Sequence, residues 1–146
     1  MDIKTHTGSL AFFSGIAGFK PGDIDWIVIR DNPKGMKTAR HRSLKGVSVF
    51  EWRYMPADEL INYGLDHPHP PMQVVMFLVP DVAAHIGLTV DMLPRLRPLI
   101  EGLDEKHEYA KIIWESYIHN GSFTLTEGQR MEAYHCYLQA RQRAED

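Results

Sequence analysis

Two short strings near the start of the chain carry groups that could do chemistry together: Gly8-Ser9 and Asp23-Ile24-Asp25. Ile24-Asp-Trp-Ile-Val-Ile29 is dense in branched and aromatic residues and follows the turn signal Pro21-Gly22, so it is expected to be a central strand. Side chains alternate along a strand, so Asp23 and Asp25 share one face while Ile24 points to the other. Two carboxylates then converge at the start of the strand, and carboxylate oxygen is what a hard divalent cation such as magnesium takes as a ligand. Gly8 lets a backbone approach another group closely, and Ser9 adds a hydroxyl and a cap for a following turn. Each string also has a plainer reading. Asp23 could be a turn aspartate, Asp25 an edge-strand aspartate, and Gly8-Ser9 a helix cap; only their pairing favours the functional reading.

The elements that would hold these residues follow from pattern. Asp2 to Thr7 reads as a strand ending at Gly8, and Leu10-Ala-Phe-Phe-Ser-Gly-Ile-Ala as a short buried helix ending near Gly15 or Gly18. Arg30 to Gly46 turns polar and basic and reads as a long connection or hairpin tip. It carries Arg30, Lys34, Lys37, Arg40, Arg42 and Lys45 against Asp31 alone, a set that could hold triphosphate or an RNA backbone, or could be a solvated tip. Val47 to Tyr54 alternates as a further strand, with Val47, Val49, Glu51 and Arg53 on one face and Phe50, Trp52 and Tyr54 on the other. Pro56 and Gly64 bracket a short helix, and 72–79 is open between strand and buried helix turn. A helix is expected from about Asp104 to His119, closed by Asn120-Gly121, with Tyr109, Ile112, Ile113 and Tyr117 as its apolar stripe. Thr126 and Gln129 form a capping-box signal for a terminal helix striped by Met131, Tyr134 and Leu138.

Whole-chain properties bound the answer. At 146 residues, with 44% hydrophobic and 24% charged residues, one globular domain over 1–146 is expected, with a core region at 1–64 and C-terminal helices at 104–143. The formal charge of -3 gives no global reason for tight nucleic-acid binding, so any phosphate site must be local. A lone cysteine, Cys136, excludes an intrachain disulfide and a thiolate zinc cluster and fits a reducing cytoplasm. Residues 1–20 make a poor signal peptide and are too short an apolar run to span a bilayer, so an untargeted, cytoplasmic protein with no membrane partner is expected. His67, His69 and His85 lack a defined third ligand and are read as loop or packing residues; Trp114, Tyr117 and Tyr134 are read as core aromatics. Arg130 and His135 match the spacing of the catalytic string of HEPN-type ribonucleases, but too little helical chain surrounds them, and chance is the better account.

Gly8-Ser9 followed by Asp23-Ile24-Asp25-Trp26 resembles the signature of the DNA polymerase beta superfamily of nucleotidyltransferases. The tail, from Lys106 to Trp114 and from Tyr117 to Thr126, resembles the helical end of small bacterial and phage-type predicted nucleotidyltransferases. The resemblance implies an α+β fold with a small mixed sheet of strand, Gly-Ser turn, short helix and Asp-x-Asp strand, finished by helices. It implies transfer of a nucleoside monophosphate from a nucleoside triphosphate to a hydroxyl acceptor with release of pyrophosphate, using magnesium or manganese. Asp23 and Asp25 would hold the metal, and Gly8 and Ser9, helped by Lys34, Lys37, Arg40 and Arg42, the nucleotide. Glu51, the one acid in its strand, would be the third catalytic carboxylate and metal ligand, a position where the superfamily more often has aspartate. The acceptor, whether RNA, protein or small molecule, is not specified by the resemblance. Two other readings stay open: a catalytically silent nucleotide-binding or antitoxin-like module, and a small RNA-binding protein using the basic connection at 30–46.

Overall fold

Branched residues mark three of the four strands of the sheet, and the fourth is polar. In the computed structural model, which describes residues 2–20, 24–31, 39–67 and 69–145, β1 (Ile3–Thr7), β2 (Ile24–Arg30), β3 (Ala39–Leu44) and β4 (Val47–Arg53) make one mixed sheet in the order β1-β2-β4-β3. β1 is antiparallel to β2, β2 parallel to β4, and β3 antiparallel to β4. The parallel pair needs an excursion between its strands. β3 supplies it at the sheet edge and returns to β4 through the two-residue turn Lys45-Gly46, both at positive φ (50° and 76°), the twist that suits a tight hairpin.

Helices complete an α+β architecture. α1 (Ser9–Phe13) follows β1, and α2 (Ala57–Asp66), α3 (Pro71–Phe77) and α4 (Pro80–Ile86) follow β4. A 3-10 segment (Val90–Leu96) leads into α5 (Arg97–Glu101), and a second one (Glu105–His107) into α6 (Tyr109–Asn120) and α7 (Glu127–Glu145). Among the described residues no helix is long and apolar enough to cross a membrane.

The register sorts the sheet into two faces. Thr7, Asp25, Ile27, Ile29, Ser48, Phe50 and Trp52 share the inner face, where Ile27, Ile29 and Trp52 are buried and Phe77 of α3 packs on Trp52 with ring centroids 5.1 Å apart. Lys4, His6, Ile24, Trp26, Val28, Val49, Glu51, Arg40 and Arg42 share the outer face. The core continues through the helices. Val75, Met76, Leu78, Val82, Leu93 and Leu96, all from the stretch 65–103, are fully buried beside Ala110 and Ile113 of α6. Two buried polar tips in this region find carbonyls, Trp114 Nε1 donating to Leu93 at 2.7 Å and the Tyr117 hydroxyl to Leu78 at 3.0 Å, so neither aromatic leaves an unpaired group in the core.

Several expectations need correction. The basic stretch 30–46 is not only a connection or a hairpin tip: Ala39–Leu44 is an edge strand pairing antiparallel with β4, polar on both faces, which hides it from a hydrophobic periodicity. Gly64 does not end its helix; α2 runs on to Asp66, and Gly64 lies inside it because a Cβ there would stand 2.6 Å from His69 Cδ2. Ser9 is the first residue of α1 rather than its cap, which is Gly8, and α1 stops at Phe13. The buried side of α7 runs through Ala133, Tyr134 and Ala140, while Leu138 is 40% exposed. The open segment 72–79 falls in α3 and the turn after it. The capping box stands as expected, with Gln129 N–H donating to Thr126 Oγ1 at 3.1 Å and Thr126 N–H to Gln129 Oε1 at 2.9 Å.

Candidate functional site

The end of β1 and the start of β2 lie side by side because the two strands pair antiparallel, Thr7 opposite Asp25. Gly8 leaves β1 with φ 70° and ψ −152°, a conformation essentially confined to glycine. The backbone thereby turns its bare Cα toward the acid: a Cβ at Gly8 would stand 2.7 Å from Asp25 Oδ2 and 2.9 Å from Met72 Cε. Gly8, Ser9 and Asp25 are thus brought together by the fold. Asp23 lies outside the described residues, as do Lys34 and Lys37.

Asp25 belongs to a polar row that crosses the inner face. Thr7 of β1, Asp25 of β2, Ser48 of β4 and Ser43 of β3 are successive register partners, so hydroxyls flank the carboxylate on both sides. Thr7 is fully buried and its Oγ1 has no hydrogen-bond partner. A buried hydroxyl without a partner costs about 1–3 kcal/mol, a penalty natural folds usually avoid outside working sites. Tyr109 of α6 is near enough for the Asp25 charge to act on it, while its ring packs on Phe12, Phe13 and Tyr137. Its buried phenol is pushed well above the usual tyrosine range, by desolvation first and then by Tyr137 and the Asp25 carboxylate. The phenol is therefore neutral across the ordinary pH range.

α1 is held over this corner from the far end of the chain. Arg130 of α7 donates Nε–H to the Phe12 carbonyl at 2.9 Å and an Nη2–H to the carbonyl of Ser14, closing the chain end that follows α1. Arg130 is thus a structural clasp, and its spacing to His135 has no part in this site.

The other sequence candidates sit elsewhere. Glu51 is buried at 7% exposure, but its register places it on the outer face opposite Val28, where it makes an ion pair with Arg42. Arg40 and Arg42 are also on the outer face. The fold does not bring these three to Asp25. At the level of Asp25 the inner face of β4 carries Ser48, followed by Phe50 and Trp52. Among the described residues there is no group of three or more His, Cys, Asp and Glu side chains arranged to hold a metal. His69 and His85 serve packing, His69 against Trp52 and Phe77 and His85 against Tyr54.

Sequence reasoning missed Thr7, Ser48, Tyr109 and Met72. Thr7 was detectable as the residue before Gly8. The rest enter only through pairing register and helix docking, which no local pattern encodes. Comparison with protein-family models, with curated proteins and with solved structures finds no match to this chain.

Proposed function

We propose that the chain is a metal-dependent nucleotidyltransferase, moving a nucleoside monophosphate from a nucleoside triphosphate to a hydroxyl with release of pyrophosphate. The observation that carries this reading is the contact between the Gly8 turn and the Asp25 carboxylate, where a single methyl group would not fit. The missing side chain at Gly8 lets the turn close onto the acidic strand and sets backbone and carboxylate side by side, as the resemblance to the DNA polymerase beta superfamily requires. Asp25, with Asp23 two positions earlier in the sequence, is the donor set suited to a hard cation. Magnesium or manganese bound there would neutralise triphosphate charge and stabilise the departing pyrophosphate. Ser9 offers a hydroxyl donor, and Thr7 and Ser48 hold hydroxyls on either side of Asp25.

One observation favours a second reading, a catalytically silent nucleotide-binding module: Glu51, the expected third carboxylate, is turned to the outer face and paired with Arg42. The two readings part on turnover. Calorimetric titration of the protein with MgATP, beside pyrophosphate release across candidate acceptors, tests both. The transferase reading expects binding and release, each lost in Asp25→Asn and in the double variant Asp23→Asn, Asp25→Asn with the folded spectrum retained. Binding without release for any acceptor selects the silent module, and unchanged transfer by the double variant overturns the site.

A further inference from the structure

A cavity opens on the inner face of the sheet, between β3, β4 and α3. It measures about 280 Å³ and is lined by Phe50 and Trp52 of β4, by Met72 and Met76 of α3, and by the polar residues Arg40, His41, Glu51 and Gln73, with Ala39 and Pro70. Met72 joins it to the proposed site, since the same side chain that lines the cavity has its methyl end against Gly8. We propose that this cavity seats the acceptor, and that the acceptor hydroxyl is borne on an aromatic ring, as in a phenol. The proposal rests on the nucleotidyltransferase reading above and names its second substrate.

Sheet order supplies the direction. The Gly8-Ser9 turn follows β1, Asp25 is on β2, and the cavity lies over β4 and β3, so the three follow the order β1-β2-β4-β3 across one face. In an in-line displacement the attacking and leaving oxygens stand on opposite sides of the α-phosphorus. With the departing phosphates gripped on the β1 side, the attacking oxygen must come from the β4 and β3 side. Phe50 lies one strand across and two residues along from Asp25, roughly 8 Å at ~4.8 Å per strand and ~3.3 Å per residue, so a ring bound over it comes near a phosphorus held at Asp25.

The lining selects the chemistry. Phe50, Trp52, Met72 and Met76 give flat, polarisable walls suited to a ring. The volume is at the lower edge of the ~300–1,000 Å³ typical of ligand pockets, enough for one ring. The polar lining is Arg40, His41, Glu51 and Gln73. One end of the Gln73 amide is held by His69 Nδ1 at 3.0 Å, which leaves the other end for a ligand, and Trp52 Nε1 is buried with no partner. Proton removal points the same way. At the level of Asp25 the inner face of β4 presents Ser48 rather than a carboxylate, so an acceptor that ionises easily is favoured. A phenol loses its proton near pH 10, against roughly 15.7 for water. In the step, the phenol proton passes to solvent, the phenolate oxygen bonds to the α-phosphorus, and the bond from that phosphorus to the pyrophosphate oxygen breaks. The products are an aryl ester of the nucleoside monophosphate and pyrophosphate.

The test uses the full chain, MgATP and p-cresol, with the Trp52 indole N–H resonance as a reading of cavity occupancy that does not depend on turnover. Titration with p-cresol should shift that resonance saturably and raise pyrophosphate release by about tenfold or more over glycerol as acceptor, with cresyl-AMP as product. Gln73→Trp, which fills the mouth of the cavity, should abolish the shift and the cresol-dependent release while MgATP affinity stays within about twofold. MgATP binding with no cresol shift at Trp52, or equal cresol transfer by Gln73→Trp, overturns the acceptor assignment alone. Failure of the unaltered protein to bind MgATP overturns the nucleotide reading instead, whatever the Trp52 resonance does.

Discussion

Replacing Gly8 by alanine should damage the protein in two separable ways. The first is backbone strain: holding a residue with a Cβ at φ 70° and ψ −152° costs about 1–3 kcal/mol. The second is contact, since the new methyl would stand 2.7 Å from Asp25 Oδ2 and 2.9 Å from Met72 Cε. Forcing a group into a filled space costs about 1–3 kcal/mol, and the flexible Met72 end keeps it toward the lower figure. The sum is about 2–4 kcal/mol, or a Tm lower by roughly 6–12 °C for a chain of this size. Gly15→Ala is the matched control. Gly15 has φ 86°, and a methyl added there would meet nothing within 4 Å, so this variant should show only left-handed strain of about 1–2 kcal/mol. Differential scanning calorimetry gives the stability difference and titration with MgATP the functional one, because only the Gly8 methyl displaces the Asp25 carboxylate. Equal loss of Tm in the two variants, with MgATP binding kept in both, would refute the contact on which the site is built.

Three further outcomes follow from individual contacts. Burial raises the phenols of Tyr109 and Tyr117 above their ordinary range, so the unfolded chain loses these protons before the folded one. Stability from them is intact below pH 10 and falls as pH rises beyond it, by roughly 1.4 kcal/mol per unit per group; urea midpoints for Tyr117→Phe should show a shallower alkaline decline, and an unchanged slope would contradict the assignment. Arg130→Met removes the charged donors on the Phe12 and Ser14 carbonyls and should cost about 1.5–3 kcal/mol, with amide exchange quickened at 12–16; exchange as slow as in the unaltered protein would rule out the clasp. Gly64→Ala should destabilise by about 1–2 kcal/mol in spite of alanine's better helix propensity, because its Cβ would meet the His69 ring at 2.6 Å and Leu99 Cδ1 at 3.1 Å. A rise in the urea midpoint of that variant would show that the ring moves aside freely.

What the sequence made legible was local. The alternation of Ile24 to Ile29 and of Val47 to Tyr54, the capping box at Thr126 and Gln129, and the stripe of Tyr109, Ile113 and Tyr117 each depend on residues a few positions apart, and the strands, the cap and the buried face are where those patterns put them. β3 was hidden because an edge strand needs no apolar face, and the interior position of Gly64 was hidden because its cause, the His69 ring, returns from beyond the helix end. Glu51 shows the same boundary at the site. Alternation correctly set it on the face away from Phe50 and Trp52, but which face Asp25 shares with β4 depends on the pairing of Asp25 with Ser48, and that is a property of register between strands.

Register also decides what kind of site this chain can have. Had β4 been displaced by one residue against β2, Glu51 would have moved to the inner face and Phe50 to the outer, giving a second carboxylate strand and no aromatic floor. The observed register does the reverse: it pairs Asp25 with Ser48 and lays Phe50 and Trp52 next in line, under Met72 and Met76. That slip is strongly opposed, because Trp52 is buried against Phe77 and Ile29, and reversing the strand would expose the ring and bury Val49 and Arg53 in its place. The packing that stabilises the sheet is therefore the same packing that removes Glu51 from Asp25 and builds the aromatic cavity. A variant that restores a carboxylate where the register allows one, Ser48→Asp, separates these consequences. Under the transferase reading, an added carboxylate beside Asp25 should raise transfer to poorly ionising hydroxyls such as glycerol relative to p-cresol, and a ratio of the two rates unchanged from that of the unaltered protein would sever acceptor choice from the missing base.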